Sequence, residues 1–163
     1  MLKTAKVNYH VKENYRQYFT VDADGIEGNI IAPELVQHRV KIKDVRDLNE
    51  ESSFAKDGLL YLHVPTATRH FDSGNTCCLS YETELQQILK THVGAKEVVV
   101  FDHTVRVDQG GAVRKPVKHV HSDLSEMGAQ NRLLAVLGEE QASAWAEGHY
   151  AFINVWRPIG HPV

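Results

Sequence analysis

His119, His121 and Asp123 stand at alternate positions of the run Val117-Lys118-His119-Val120-His121-Ser122-Asp123. In an extended strand successive side chains point to opposite faces, so these three would project from one face. Neutral imidazole and carboxylate suit iron, zinc or manganese. Two His and one carboxylate with open positions form the non-heme Fe(II) arrangement. His121 and Asp123, separated by one residue, can converge on one ion without help from distant chain. A third ligand from elsewhere would leave positions for a bidentate 2-oxo acid and dioxygen. A structural alternative stands beside this chemistry: a surface strand end leading into a helix N-cap at Ser122, Asp123 or Ser125.

Several elements must position these residues. His38 to Val45 alternates polar and apolar residues and predicts a half-buried strand. Gly58 to Val64 predicts another, ended by Pro65, and Tyr15 to Val21 a weaker one. Asp22-Ala23-Asp24-Gly25 reads as a turn, as do Gly74-Asn75 and Gln109-Gly110-Gly111, and Asn49 is a possible cap. A helix is expected near residues 79–92, capped by Ser80 and ended by Gly94, with Leu85, Ile88, Leu89 and His92 on one face. Glu82 and Glu84 suit the positive end of its dipole. Glu97 to Arg106 gives the strongest strand signal. Its continuous apolar start, Val98-Val99-Val100-Phe101, predicts burial on both faces. Helical sequence runs from about Glu126 to Ala146, interrupted near Gly138 and stopped by Gly148. Tyr150 to Arg157 returns as a strand.

The 163 residues are 42% hydrophobic and 24% charged, which suits one globular domain with its own core. The net charge of −3 and the scattered Lys and Arg give no footprint for nucleic acid. No apolar run approaches the roughly 18 residues needed to cross a membrane. The N-terminus, Met1 to Lys6, leads into charged sequence with no apolar signal region, so a cytoplasmic location is expected. Cys77 and Cys78 are adjacent, cannot staple distant segments, and read as reduced thiols. Most of the ten histidines are expected to be structural or exposed.

Three ordered motifs carry a family resemblance. They are Phe101-Asp102-His103-Thr104-Val105-Arg106, then Pro116 to Asp123, then Asn154-Val155-Trp156-Arg157-Pro158. Together with Ser80 to Leu85 before Val93-Gly94-Ala95, they resemble the AsaB-like hydroxylase/desaturase family. That family includes fungal natural-product oxygenases, cephamycin-type methoxylase components and gibberellin desaturases. The resemblance runs from about Tyr15 onward. It implies an α+β, mainly β fold: a double-stranded β-helix of the jelly-roll or cupin-like kind with flanking helices. It implies Fe(II) as cofactor and 2-oxoglutarate as co-substrate, with His121 and Asp123 as metal ligands and His119 beside the pocket. Asn154 would hydrogen-bond the co-substrate while Trp156 walls the site. With that strand flipped, Arg157 would instead pair with a carboxylate. The implied chemistry is hydroxylation or desaturation of a small secondary metabolite.

The sequence also departs from the family, which continues beyond the Asn-x-Trp-Arg-Pro strand to a distal iron-binding His and a nearby Arg. An incomplete, N-terminal part of the β-helix is therefore expected, with the C-terminal strands absent. The missing His would come from a longer product, from a second copy or complementary chain, or from His149 or His161 as a substitute. A non-catalytic accessory subunit is the alternative function. A further one is a metal-dependent hydrolase using His119, His121 and Asp123. His-x-His-x-Asp resembles the first motif of PHP-type phosphoesterases and the metallo-β-lactamase motif, although Leu124 replaces a His of the latter.

Overall fold

Residues 2–10 alternate Ala5, Val7 and Tyr9 with Thr4, Lys6, Asn8 and His10, a two-faced pattern that suits a strand. In the computed structural model they form β1 (Leu2–His10), paired antiparallel with β4 (Leu35–Lys43), with Leu2 opposite Lys43 and His10 opposite Leu35. The structure describes residues 2–15, 17–21, 23–26, 29–44, 53–69, 71, 78–107 and 116–159. Its contacts divide the chain into two units, Met1–His121 and Ser122–Val163, and each is described by itself.

In the first unit, β2 (Thr20–Val21) pairs with β3 (Ile30–Ile31) across the expected turn. A 3-10 turn at Ala23–Gly25 holds that turn, with Asp24 in the left-handed region at φ 59°. Asn29 Nδ2 donates to the Ala23 carbonyl, and the Ala23 N–H donates to the Asn29 carbonyl. The predicted Tyr15–Val21 strand is thus reduced to its last two residues. The predicted His38–Val45 strand is β4, begun three residues earlier. Most of β4 is exposed and only Val40 is half-buried, so half-burial is not borne out. A one-turn helix, α1 (Phe54–Asp57), ends at Gly58.

The principal helix of this unit is α2 (Cys78–His92). It starts two residues before Ser80, which therefore lies in its first turn rather than at its cap. Tyr81 and Leu85, one turn apart, are buried; Ile88 and Leu89 are half-buried, and His92 is exposed. Glu84 accepts hydrogen bonds from Thr66 Oγ1 (2.5 Å) and the Ala67 N–H (3.0 Å). Glu82 contacts His103 Nε2 at 3.2 Å. The helix therefore fastens two non-helical segments through its acidic positions. Gly94, at φ 78°, ends it as expected, and the Ala95 N–H reaches back to the Leu89 carbonyl.

The second unit is built on α3 (Glu126–Ala146). Ser125 is its N-cap, accepting from the Gly128 N–H at 3.1 Å, which selects one of the three expected caps. Gly138 breaks the helix at φ 76°, ψ 171°. That break lets Gln130 and Leu133 line one cleft with Ala142, Ser143, Ala146 and Tyr150. Leu133 and Ala142 are the buried apolar residues of this unit among those described.

The segments 58–64, 97–106, 117–123 and 150–157, all expected to be strands, join neither sheet. Among the described residues no jelly-roll layer is formed, and the expectation is met only as a mixture of helices and short antiparallel pairings. The physical reason is that alternation establishes a two-faced segment, whereas a strand exists only with a neighbour to complete its ladder. Many apolar residues of these segments lack cover: Val99, Phe101, Val105, Val120, Val155 and Trp156 are exposed, while Val98, Val100, Phe152 and Ile153 are half-buried. The expected burial of the Val98–Phe101 run on both faces is thereby corrected. The expected cap at Asn49, the turns at Gly74-Asn75 and Gln109-Gly110-Gly111, Cys77 and His161 lie outside the described residues.

Candidate functional site

Asn8, near the end of β1, fixes the histidine motif within the first unit. Its carbonyl accepts the Val120 N–H at 2.8 Å, and its Nδ2 donates to the Lys118 carbonyl at 2.7 Å. Two bonds on either side of His119 therefore lay residues 118–120 along β1. The chain bends at His119, and the rings of His119 and His121 lie beside each other. Their ring centres are 5.2 Å apart.

His121 Nδ1 lies 3.1 Å from the His119 carbonyl. A carbonyl only accepts, so Nδ1 carries the proton and Nε2 is the lone-pair nitrogen of the neutral ring. Metal-bound histidines use this arrangement, with one nitrogen tied to a carbonyl and the other toward the ion. His119 is half-buried, and its pKa is held below the usual 6.5, first by burial and then by the neighbouring His10 and His121. It is therefore biased toward the neutral, ligand-competent form.

His10 was not singled out by its sequence. The last residue of β1, it meets His119 edge to face at 4.7 Å between ring centres. Phe19 packs edge-on against His10 at 4.9 Å and stacks on His119 at 5.8 Å. Both ring nitrogens of His10 are buried and have no hydrogen-bond partner among the described residues. Leaving a buried polar atom unsatisfied costs about 1–3 kcal/mol. The one available signal was the alternation of β1, which puts His10 at the strand's end.

In the second unit, Asp123 Oδ2 accepts from Asn154 Nδ2 at 2.5 Å. The side chain expected to meet a co-substrate thus holds the carboxylate, as outer partners of ligating carboxylates do. Ser122 Oγ donates to the Leu124 carbonyl, which turns the chain toward the Ser125 cap. Arg157 is half-buried, and Trp156 and His149 are exposed. At 76% exposure, Trp156 does not wall a site here.

Taken singly, the imidazole of His121 in the first unit and the carboxylate of Asp123 in the second are donor types that suit a borderline divalent ion such as Fe(II). Among the described residues, no three His, Cys, Asp or Glu side chains form a ready-made metal cage.

A family model described as "Oxidoreductase/YMDC permease-like domain" matches residues 7–163. The chain belongs to this family. The oxidoreductase part of that description agrees with the AsaB-like resemblance, and so do the curated relatives of this family member. It is 26% identical over 137 residues to "Oxidoreductase AN1597" of Emericella nidulans, covering 77% of the chain and 46% of that protein. It is 25% identical over 169 residues to "Alpha-ketoglutarate-dependent dioxygenase phiK" of Fungal sp., covering 91% and 59%. It is also 25% identical over 174 residues to "Alpha-ketoglutarate-dependent dioxygenase tstK" of Talaromyces stipitatus, covering 93% and 61%. The oxidoreductase-family chain is thus a distant relative of α-ketoglutarate-dependent dioxygenases; it spans about three-fifths of their length and about half of the length of the Emericella oxidoreductase. No solved structure gives a significant match. Among the described residues, no helix is long and apolar enough to cross a membrane.

Proposed function

We propose that this chain carries the His-x-Asp half of an Fe(II)- and 2-oxoglutarate-dependent oxygenase that hydroxylates or desaturates a small secondary metabolite. The observation that supports it is the pair of supports behind the motif: the carbonyl on His121 Nδ1 and the amide on Asp123 Oδ2. A surface strand end has no need of either. His121 and Asp123 would hold the metal, and Asn154 would keep the Asp123 carboxylate turned toward it. Arg157 is the candidate partner for the carboxylate of 2-oxoglutarate, where a planar guanidinium suits bidentate pairing. When bound, Fe(II) would couple oxidative decarboxylation of 2-oxoglutarate to attack on a substrate C–H bond. The protein's share is to bind, orient and exclude water.

The exposed apolar residues of segments 97–107 and 150–159 favour one extension of this reading. Two-faced segments of this kind are completed by further strands, from the same polypeptide or a second chain. The jelly-roll would close on that addition, which would also supply the remaining site residues. Without it, the chain would act as an accessory subunit.

Anaerobic titration with Fe(II) and 2-oxoglutarate tests the proposal through the visible charge-transfer band of the chelate. A band that is lost in both His121→Ala and Asp123→Ala is the expected result. A folded protein with no band, or a band unaffected by either substitution, would reject His121 and Asp123 as the site.

A further inference from the structure

We propose that His10, at the end of β1, is a further imidazole ligand of the ion that His121 holds. The proposal rests on His121 being a metal ligand, and it goes further by naming a third protein donor from within the chain. That donor comes from the opposite end of the sequence to His149 and His161.

Three observations carry it. First, both His10 ring nitrogens are buried and have no hydrogen-bond partner among the described residues. Buried polar side-chain atoms ordinarily have a partner, and a histidine placed for packing alone keeps at least one nitrogen bonded or wet. A divalent ion is a partner that would satisfy one nitrogen. Second, the ring centres run His10 to His119 at 4.7 Å and His119 to His121 at 5.2 Å. Imidazoles sharing one ion through bonds of about 2.1 Å have ring centres roughly 4.5–5.5 Å apart; His119 has that spacing to each of the other two rings, and His10 is related to His121 across it. Third, the scaffold is tied down beside it. Asn8, two residues before His10, bonds on both sides of His119. Phe19 closes one flank by packing on both rings.

The rings are not yet turned onto a common point, since no three donors form a cage among the described residues. Rotation about the side-chain torsions of His10 and His121 is therefore part of binding. His119, between them, is either a fellow ligand or the ring that spaces the other two. The ligand class is a first-row divalent ion of borderline softness, because neutral imidazole favours such ions over calcium or magnesium.

The test uses the full chain under anaerobic conditions. Co(II) affinity is read from its visible bands, and coordinated imidazoles are counted by pulsed electron paramagnetic resonance of the Cu(II)-loaded protein. His10→Phe keeps a packing ring and removes the nitrogens, and His10→Gln provides a second variant should the first perturb folding. The expected result is one fewer coordinated imidazole and a Co(II) affinity weaker by about tenfold or more. His121→Ala is expected to lose at least as much. An unchanged imidazole count in folded His10 variants overturns the proposal, even where affinity falls, because the effect is then one of packing. If His121→Ala lowers binding while the His10 variants match the parent, His10 is excluded and the His121 site stands. If the parent binds no Co(II), or His121→Ala binds as the parent does, the site itself is rejected and His10 with it.

Discussion

Asn154 and Asp123 lie 31 residues apart in sequence and meet side chain to side chain, with Asn154 Nδ2 donating to Asp123 Oδ2 at 2.5 Å. The bond occupies one carboxylate oxygen and orients the other. It joins two of the three motifs that carry the family resemblance, and it gives the Asn-x-Trp-Arg-Pro motif a role that needs no bound co-substrate. On the proposed role of Asp123 as a metal ligand, replacing Asn154 with Ala is expected to weaken Fe(II) or Co(II) binding by about 10–100-fold, the usual effect of losing an outer partner of such a ligand. Circular dichroism should be unchanged, because Asn154 is exposed. Unaltered metal affinity would sever Asn154 from the site.

Ser125 caps α3 through the Gly128 N–H. Ser125→Ala is expected to cost about 1 kcal/mol, whereas Ser125→Asp should keep the cap. Urea denaturation followed by helical circular dichroism would separate the two. Equal losses in both would mean that the cap contributes nothing.

Gly138 sits at φ 76° with nothing within 4 Å of where a Cβ would stand. Space is therefore no obstacle, and any penalty is conformational. Gly138→Ala is expected to destabilise by about 1–3 kcal/mol, the cost of holding an L-residue at positive φ with ψ near 180°, a region essentially confined to glycine. If the variant is more stable than the parent, α3 is continuous through 138 in solution.

Leu133, buried in the second unit at 6% exposure, is expected to lose about 2–5 kcal/mol on truncation to Ala. Exposed Leu134, its neighbour, should lose far less. Comparing their unfolding midpoints tests whether the Gly138 break folds the two halves of α3 around Leu133.

His119 gives the fold a dependence on pH. Its folded pKa lies below the unfolded value of 6.5, through burial first and the neighbouring histidines second. Below 6.5 the unfolded chain takes up the proton more readily than the folded one. Stability from this group is therefore present above pH 6.5 and is lost as pH falls through that value toward the folded pKa. Denaturation midpoints taken from pH 8 to pH 5 should fall, and the slope should be shallower in His119→Phe. A parent whose midpoint rises on acidification would contradict the sign.

Helices and their stops were legible because their signals are local. Gly94 and Gly138 adopt the positive φ that glycine tolerates, and Ser125 was among the expected caps. Tyr81 and Leu85 share a buried stripe one turn apart, although Tyr81 was not singled out. β4 was legible from alternation, whereas its partner β1 was overlooked although Ala5, Val7 and Tyr9 alternate in the same way. Pairing is a property of two segments, and neither sequence names the other. The same limit explains why 97–106 and 150–157 have strand patterns and yet join no ladder.

At the candidate site, residue type and spacing pointed to the proposed His-x-Asp chemistry, because both are read from a few adjacent residues. Tertiary structure alone decided that Asn8 holds the motif along β1, that Asn154 supports Asp123, and that His10 lies against His119. Each is a contact between segments far apart in sequence, set by how the chain packs rather than by any local preference. That packing leaves both buried ring nitrogens of half-buried His10 without a partner among the described residues, a feature that only the folded chain could reveal.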